Sequence, residues 1–341
     1  MNVKKFLSAV VILSALTSCG SSSQSESHDV WAMNTYMTMT AYGKNSELAL
    51  EKAEEKINEL DTLLSVTSEE SDIWRINNSG GTPVEVSDDT ADVISSAVEY
   101  CKKTGTLDIT IYPVLREWGF TTQEYKIPDS GKLDELLENV NYMNIGIDGN
   151  IISVPENYMI DLGAVAKGYT GDRVISELKE NGVESAIISL GGNVQSLGLK
   201  PDGSQWNVAV KNPFMPDSDM CIVSVGEKAV ITSGDYERYF IGDDGKKYCH
   251  IIDKSDGFPA DNGLVSVTII GNSGIMCDAL STALFIAGEE NAQEYWHTNG
   301  GFDMILVTDD GRIIYTDGLS ESFRNLSNMT AEMISQEHHE N

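Results

Sequence analysis

The sequence predicts an α+β protein of mixed sheets packed by helices. Three observations carry that prediction. Residues 46–64, 88–103 and 165–178 repeat apolar side chains at helical spacing. The second half of the chain is dense in short runs of β-branched and aromatic residues bounded by Gly, Asp and Asn. Helical and strand-like stretches do not alternate regularly, as a doubly wound parallel sheet would require.

Residues 1–18 stand apart from the fold. Lys4 and Lys5 precede the apolar run Phe6 to Leu16, which is too short to span a bilayer, and "LTSC" then ends at Cys19. This pattern resembles a bacterial lipoprotein signal, with Cys19 as the lipidated first residue of an extracytoplasmic, membrane-anchored protein. An ordinary secretory signal with a chance cysteine is the alternative. The Ser-rich stretch 19–29 reads as a tether.

The folded unit is expected over 30–325. Residues 31–43 alternate polar and apolar side chains as a first strand. Leu48, Leu50, Ala53, Ile57, Leu60 and Leu64 give 46–64 one apolar face. "SDIWRINNSGG" reads as a short helix breaking into a loop. A second long helix, 88–103, opens on an "SDD" cap and stops before Gly105. "LDITIYPVLREWGF" reads as an extended segment and a turn, and 121–150 as polar chain with one short helix near 133–137. Residues 157–162 read as a strand entering "DLGAVAKG", 165–178 as a helix stopped by Asn181-Gly182, and 186–190 as the next strand. Beyond it, "WNVAVKN", "CIVSVGEKAVITSG", "ERYFIG", "YCHIID" and "LVSVTIIG" read as strands, interrupted by one helix at 276–287. "FDMILVTDDGRIIYTDG" is a hairpin on an Asp-Gly turn, and 326–341 a polar tail.

Composition limits the function. The 341 residues carry 53 acidic and 23 basic side chains, a net charge of −30. That excludes nucleic acid as a partner, because neutralising its phosphates takes clustered Lys and Arg. It does not exclude a nucleotide held by backbone amides, one lysine and a metal ion. Cys101, Cys221, Cys249 and Cys277 form no CxxC pair, and only His250 and His297 are histidines expected to work in the fold.

Four stretches carry candidate chemistry. "DLGAVAKGYTGD" has Lys167 before Gly168, so it is no Walker loop, and its glycines are wrongly spaced for a Rossmann fingerprint. Asp161 is equally readable as a helix cap. In "CDALSTAL", Asp278 and Thr282 share a helix face, an oxygen pair suited to Mg²⁺ or to ordinary capping. In "YCHIIDKSDGFPAD", His250 is a candidate general base or a satisfied core residue. In "TSGDYERYF", Tyr236 and Arg238 face a ligand or cover the sheet.

Taken in order, these stretches, with "MNTYMTMTAYG", "SDIWRIN", "LDITIYPVLREWGF" and "SLGGN", resemble the ApbE-type flavin transferases (FAD:protein FMN transferases) over roughly residues 30–320. The resemblance implies one catalytic unit of the ApbE-like, T-fold-related type, either undivided or built of two subdomains. It implies Mg²⁺-dependent cleavage of FAD, transfer of FMN through a phosphoester to a threonine of a target protein, and release of AMP. It places metal ligands at the Ala164 carbonyl, Asp278 and Thr282. FAD contacts fall at Met33, Thr106, Leu107, Asp108, Asp161, Lys167 and Ile252, and His250 becomes the base. Thr67 stands where the family often has an aromatic residue, and Cys249-His250 where it has paired histidines. An FAD pyrophosphatase and a flavin-binding lipoprotein without chemistry are the alternatives.

Overall fold

The computed structural model describes residues 25–336. The expected signal segment, Cys19 and the end of the tail lie outside them. The chain opens with a hairpin, β1 (Ser25–Ala32) and β2 (Thr35–Tyr42), turning at Met33 and Asn34, both with positive φ. The first strand therefore starts inside the expected tether, and His28 belongs to it. As an edge strand, β1 pairs with β2 alone and tolerates polar residues on its open side. His28 Nδ1 lies 3.0 Å from Glu54 Oε2.

Helices α1 (Ser46–Leu64), α2 (Asp72–Asn77) and α3 (Asp88–Thr104) follow, with the short β3 (Val84–Glu85) before α3. Ser87 caps α3 and Gly105, at φ 72°, ends it. The segment read as extended contains a helix, α4 (Tyr112–Glu117). The aromatic and β-branched composition of 107–112 masked it, while Pro113, seated in the first helical turn, favours it. Then come α5 (Ser130–Leu137), β4 (Gly146–Asp148) and β5 (Ile151–Ser153).

No strand forms at 157–162. The Asn77 amide there takes the place of a strand partner, donating to Ile160 O at 2.8 Å and accepting from Ile160 N at 2.7 Å. The Asp161 amide donates to Ile109 O at 2.8 Å. Helix α6 (Ala166–Glu180) leads to β6 (Ser185–Leu190), β7 (Asn193–Leu197), β8 (Trp206–Asn212), β9 (Met215–Val225) and β10 (Ala229–Gly234). Next are β11 (Tyr239–Ile241), β12 (Lys247–Cys249), β13 (Leu264–Gly271), α7 (Gly274–Ala287) and a second helix the sequence reading missed, α8 (Glu289–Asn299). The chain ends in β14 (Asp303–Thr308), β15 (Arg312–Thr316), β16 (Phe323–Asn325) and β17 (Thr330–Ile334). Part of the expected polar tail is thus a strand, paired in parallel with β15.

The described residues form a nine-stranded sheet in the order β1-β2-β6-β7-β10-β13-β14-β15-β17, and three small sheets. Alternation along the central strands sorts two cores. Ile231, Val267, Ile269, Met304 and Leu306 meet Leu280, Leu284 and Phe285 of α7. Val230, Ile270, Ile305 and Val307 meet Val208, Val210 and Val223 of the β16-β9-β8 sheet. On the helical face α1 and α6 cover β1, β2 and β6. The fold is α+β, as the sequence predicts. Helices α6 and α7 thereby lie side by side over the sheet, which places Lys167 and Asp278 in one neighbourhood.

Candidate active site

Close contact between α6 and α7 builds the centre of the site. A Cβ on Gly168 would stand 2.3 Å from Gly274 O and 2.7 Å from Asp278 Cβ, so only glycine fits. That approach lets the Gly168 amide donate to Asp278 Oδ2 at 2.8 Å. In a regular helix the same amide would bond the Ala164 carbonyl. Diverted to Asp278, it leaves that carbonyl with no amide partner among the described residues. Asp172, one turn further along α6, caps α7 by accepting from Gly274 N at 2.6 Å, Ile275 N at 3.0 Å and Ser273 Oγ at 3.1 Å. Gly168→Ala should force the two helices apart at a cost of about 1–3 kcal/mol, the usual range for overpacking. A thermal melt that matches the parent would contradict this packing account.

Asp278 is 4% exposed. Its Oδ1 accepts from Asn193 Nδ2 at 3.0 Å, so each oxygen holds one protein donor and keeps acceptor capacity. Burial pushes its carboxyl above the ordinary range, opposed by Lys167 and by these two donors. Thr282 lies one turn on, its Oγ1 3.0 Å from Ser233 Oγ. A carboxylate, a hydroxyl and an unpartnered carbonyl form the oxygen donor set that Mg²⁺ takes. Three clustered His, Cys, Asp or Glu side chains, the pattern of a transition-metal site, do not occur among the described residues.

His250 sits just after β12, part-buried, against Arg238. Its Nδ1 is 3.2 Å from Arg238 O. A carbonyl only accepts, so Nδ1 carries the proton and Nε2 keeps its lone pair. Burial, with the charges of Arg238 and Lys167, pushes the imidazole down to about 4 from 6.5. The ring is therefore neutral at neutral pH. Its folded-state pKa lies below the unfolded value, so its contribution to stability is complete above the latter and is lost as pH falls through about 4.

Lys167 Nζ reaches Asn193 Oδ1 at 3.4 Å. Asp161 turns Oδ1 onto the Gly163 amide at 2.8 Å; burial raises its carboxyl, opposed by that amide and by Arg238. Its Oδ2 carries no hydrogen bond among the described residues. Met33 donates its amide to Asp61 Oδ1 at 2.8 Å, and its sulfur lies 3.7 Å from Thr170 Oγ1 on α6. Thr106 Oγ1 donates to Ala283 O at 2.9 Å, beside Thr282.

Of the remaining expected contacts, Leu107, Asp108 and Ile252 have buried side chains. Leu107 is core. Asp108 accepts from Thr110 N at 3.0 Å, Thr110 Oγ1 at 2.7 Å and Tyr142 N at 3.1 Å, and lies 3.5 Å from Lys254 Nζ. Ile252 packs with Val114, Trp118 and Leu133. Thr67 turns its hydroxyl to Ser65 Oγ at 3.3 Å. The four cysteines among the described residues are buried free thiols, with burial holding their protons. Sequence reasoning missed Asn193, Asp172 and Gly168 as site builders; their signal was a place inside quoted motifs, with no chemistry of their own to advertise it.

Comparison with known proteins identifies the family. The ApbE family model matches residues 33–306. The FAD:protein FMN transferase of Vibrio cholerae is 33% identical over 276 residues, covering 79% of this chain and 81% of the relative. That of Treponema pallidum is 27% identical over 340 residues, 92% of this chain and 94% of the relative. The crystal structure of the ApbE protein from Thermotoga maritima superposes with a TM-score of 0.82 at 31% identity, covering 87% of this chain and 98% of that one. With the family model spanning most of its length, this chain belongs to the ApbE family.

Proposed function

We propose that this protein is an FAD:protein FMN transferase that requires Mg²⁺ and attaches FMN to a threonine hydroxyl of another protein. One observation carries the reading: the Gly168 amide bonds Asp278 and leaves the Ala164 carbonyl without an amide partner among the described residues, while Lys167 acts electrostatically on both that buried carboxylate and the neutral His250. The names of the curated relatives support the activity.

Each residue has a definable task. Asp278, Thr282 and the Ala164 carbonyl would hold the metal ion. Bound there, Mg²⁺ would neutralise charge on the pyrophosphate oxygens. Lys167 and Arg238 supply positive charge in a protein that would otherwise repel an anionic dinucleotide. Asp161 Oδ2 offers an acceptor to N–H or O–H groups of the ligand, since two anions would repel. His250 Nε2 takes the proton of the acceptor hydroxyl. The hydroxyl oxygen bonds the phosphorus of the FMN half, the anhydride bond breaks, and AMP leaves.

Two results follow from these assignments. With a base near pKa 4, transfer should hold level from neutral pH down to about pH 5 and fall below it; an acid limb near 6.5 would contradict the buried-histidine account. Chelation of divalent metal should stop FAD cleavage, and added Mg²⁺ should restore it; full activity in excess chelator would remove the metal from the reading.

The mass spectrum of a reaction holding the full chain, FAD, Mg²⁺ and a threonine-containing acceptor tests the function itself. An FMN adduct on threonine is expected. FMN and AMP without adduct would favour the pyrophosphatase, and intact FAD would contradict both. We further propose that the protein works outside the cytoplasm on a lipidated Cys19. Labelling with a fatty-acid probe, lost in Cys19→Ala, checks that anchor.

A further inference from the structure

We propose that Asn193 is a spacer that holds the Lys167 ammonium off the Asp278 carboxylate, keeping the carboxylate for the metal ion and the ammonium for ligand oxygens. The inference rests on the reading of Asp278 as a metal ligand. Asn193 is 2% exposed and stands between the two charges. Its Nδ2 donates to Asp278 Oδ1 at 3.0 Å and its Oδ1 accepts from Lys167 Nζ at 3.4 Å. The amide orientation is fixed by this pattern. Turned over, it would set N–H groups against an ammonium and an oxygen against a carboxylate.

Lys167 and Asp278 act on each other electrostatically, yet they form no direct ion pair. In a buried site, collapse of a mobile lysine onto an unpaired carboxylate is the obvious competitor of a cation. A collapsed pair would cover a carboxylate oxygen and hold the ammonium away from the phosphates. An asparagine side chain is long enough to touch both partners and carries no charge of its own to satisfy either.

The backbone puts Asn193 there with little freedom. Gly191 and Gly192, at φ 62° and 98°, make the tight turn between β6 and β7, and Asn193 pairs with Leu190 immediately after it. A Cβ on Gly191 would meet Thr35 Oγ1 at 2.4 Å, so the turn is pinned against the start of β2. Asn193 is thus a positioning residue on the rigid sheet, acting between two helical residues.

Titration of the full chain with Mn²⁺, followed by the electron paramagnetic resonance of the free ion with and without FAD, tests the proposal. Asn193→Ala should weaken Mn²⁺ about 10- to 100-fold, the usual effect of removing a ligand's supporting partner. Adding Lys167→Met to that variant should return the affinity to within about threefold of the parent, because the competing ammonium is gone. Transfer should stay low in the double variant, which lacks the lysine. A merely structural asparagine predicts loss without rescue. Parent-like Mn²⁺ binding in Asn193→Ala, or no rescue in the double variant, would overturn the spacer while leaving the metal reading intact. Absence of Mn²⁺ binding by the parent in both conditions would overturn both. Should Asn193→Ala fail to fold, Asn193→Ser, too short to bridge the pair, carries the same arms.

Discussion

Asp278→Ala should lower FMN transfer on the order of 10³-fold or more while FAD is still bound. Loss of several kcal/mol of transition-state stabilisation is what removing a metal ligand implies, and each 1.4 kcal/mol is about tenfold in rate. Flavin affinity should change far less, since Asp161, Lys167 and the Met33 region remain. The fold should survive. The substitution leaves the Gly168 amide and the Asn193 amide without their acceptor, at about 1–3 kcal/mol each if they stay dry. Against that, it removes a buried carboxylate whose ionisation the surroundings resist. Stopped turnover with a melting temperature near the parent's would separate chemistry from folding. Equal activity in the variant would refute the metal assignment.

His250→Gln should slow transfer about 10²- to 10⁴-fold, the range for a general base. Glutamine keeps a donor able to meet Arg238 O but offers no basic nitrogen to the acceptor. The loss should appear in kcat rather than in the KM for FAD, because the role proposed for the ring is to take the proton of the hydroxyl and not to grip the dinucleotide. A second signature is pH dependence. If the histidine is the base, the limb set by its pKa of about 4 disappears in the variant. Unchanged kcat with the limb intact would make another group the base.

Residues with strong local signals were legible in the sequence. The spacing of Leu50, Ala53, Ile57, Leu60 and Leu64 marked α1 to its observed bounds, and Asp310-Gly311 marked the turn between β14 and β15. Helix α4 was hidden because residues 107–112 suit a strand, and its short length gives no period to read. The missing strand at 157–162 turned on one asparagine, Asn77, distant in sequence, which took over the backbone bonding of Ile160. Helix α8 is polar over much of its surface and buries little beyond Ala292 and Trp296, so hydrophobic spacing did not expose it.

The site divides in the same way. Lys167, Asp278, Thr282 and His250 carry groups whose chemistry can be named from residue type. Gly168, Asp172 and Asn193 act by closeness, by capping and by spacing, which exist only once α6, α7 and β7 have met. Asp108 shows both sides. The family resemblance implies a ligand contact there, and what residue type alone does not reveal is that its oxygens also accept from Thr110 and Tyr142 and lie 3.5 Å from Lys254 Nζ. The central assembly depends on tertiary approach, not on a motif alone.

The central claim is that cleavage of FAD and modification of an acceptor hydroxyl are one reaction at Asp278 and His250. The ratio of AMP released to flavinylated acceptor formed, followed over a single time course with saturating acceptor, tests it most directly. The account predicts one AMP for each adduct throughout, with both falling together in Asp278→Ala. AMP accumulating well ahead of adduct at saturating acceptor, with free FMN making up the difference, would contradict it.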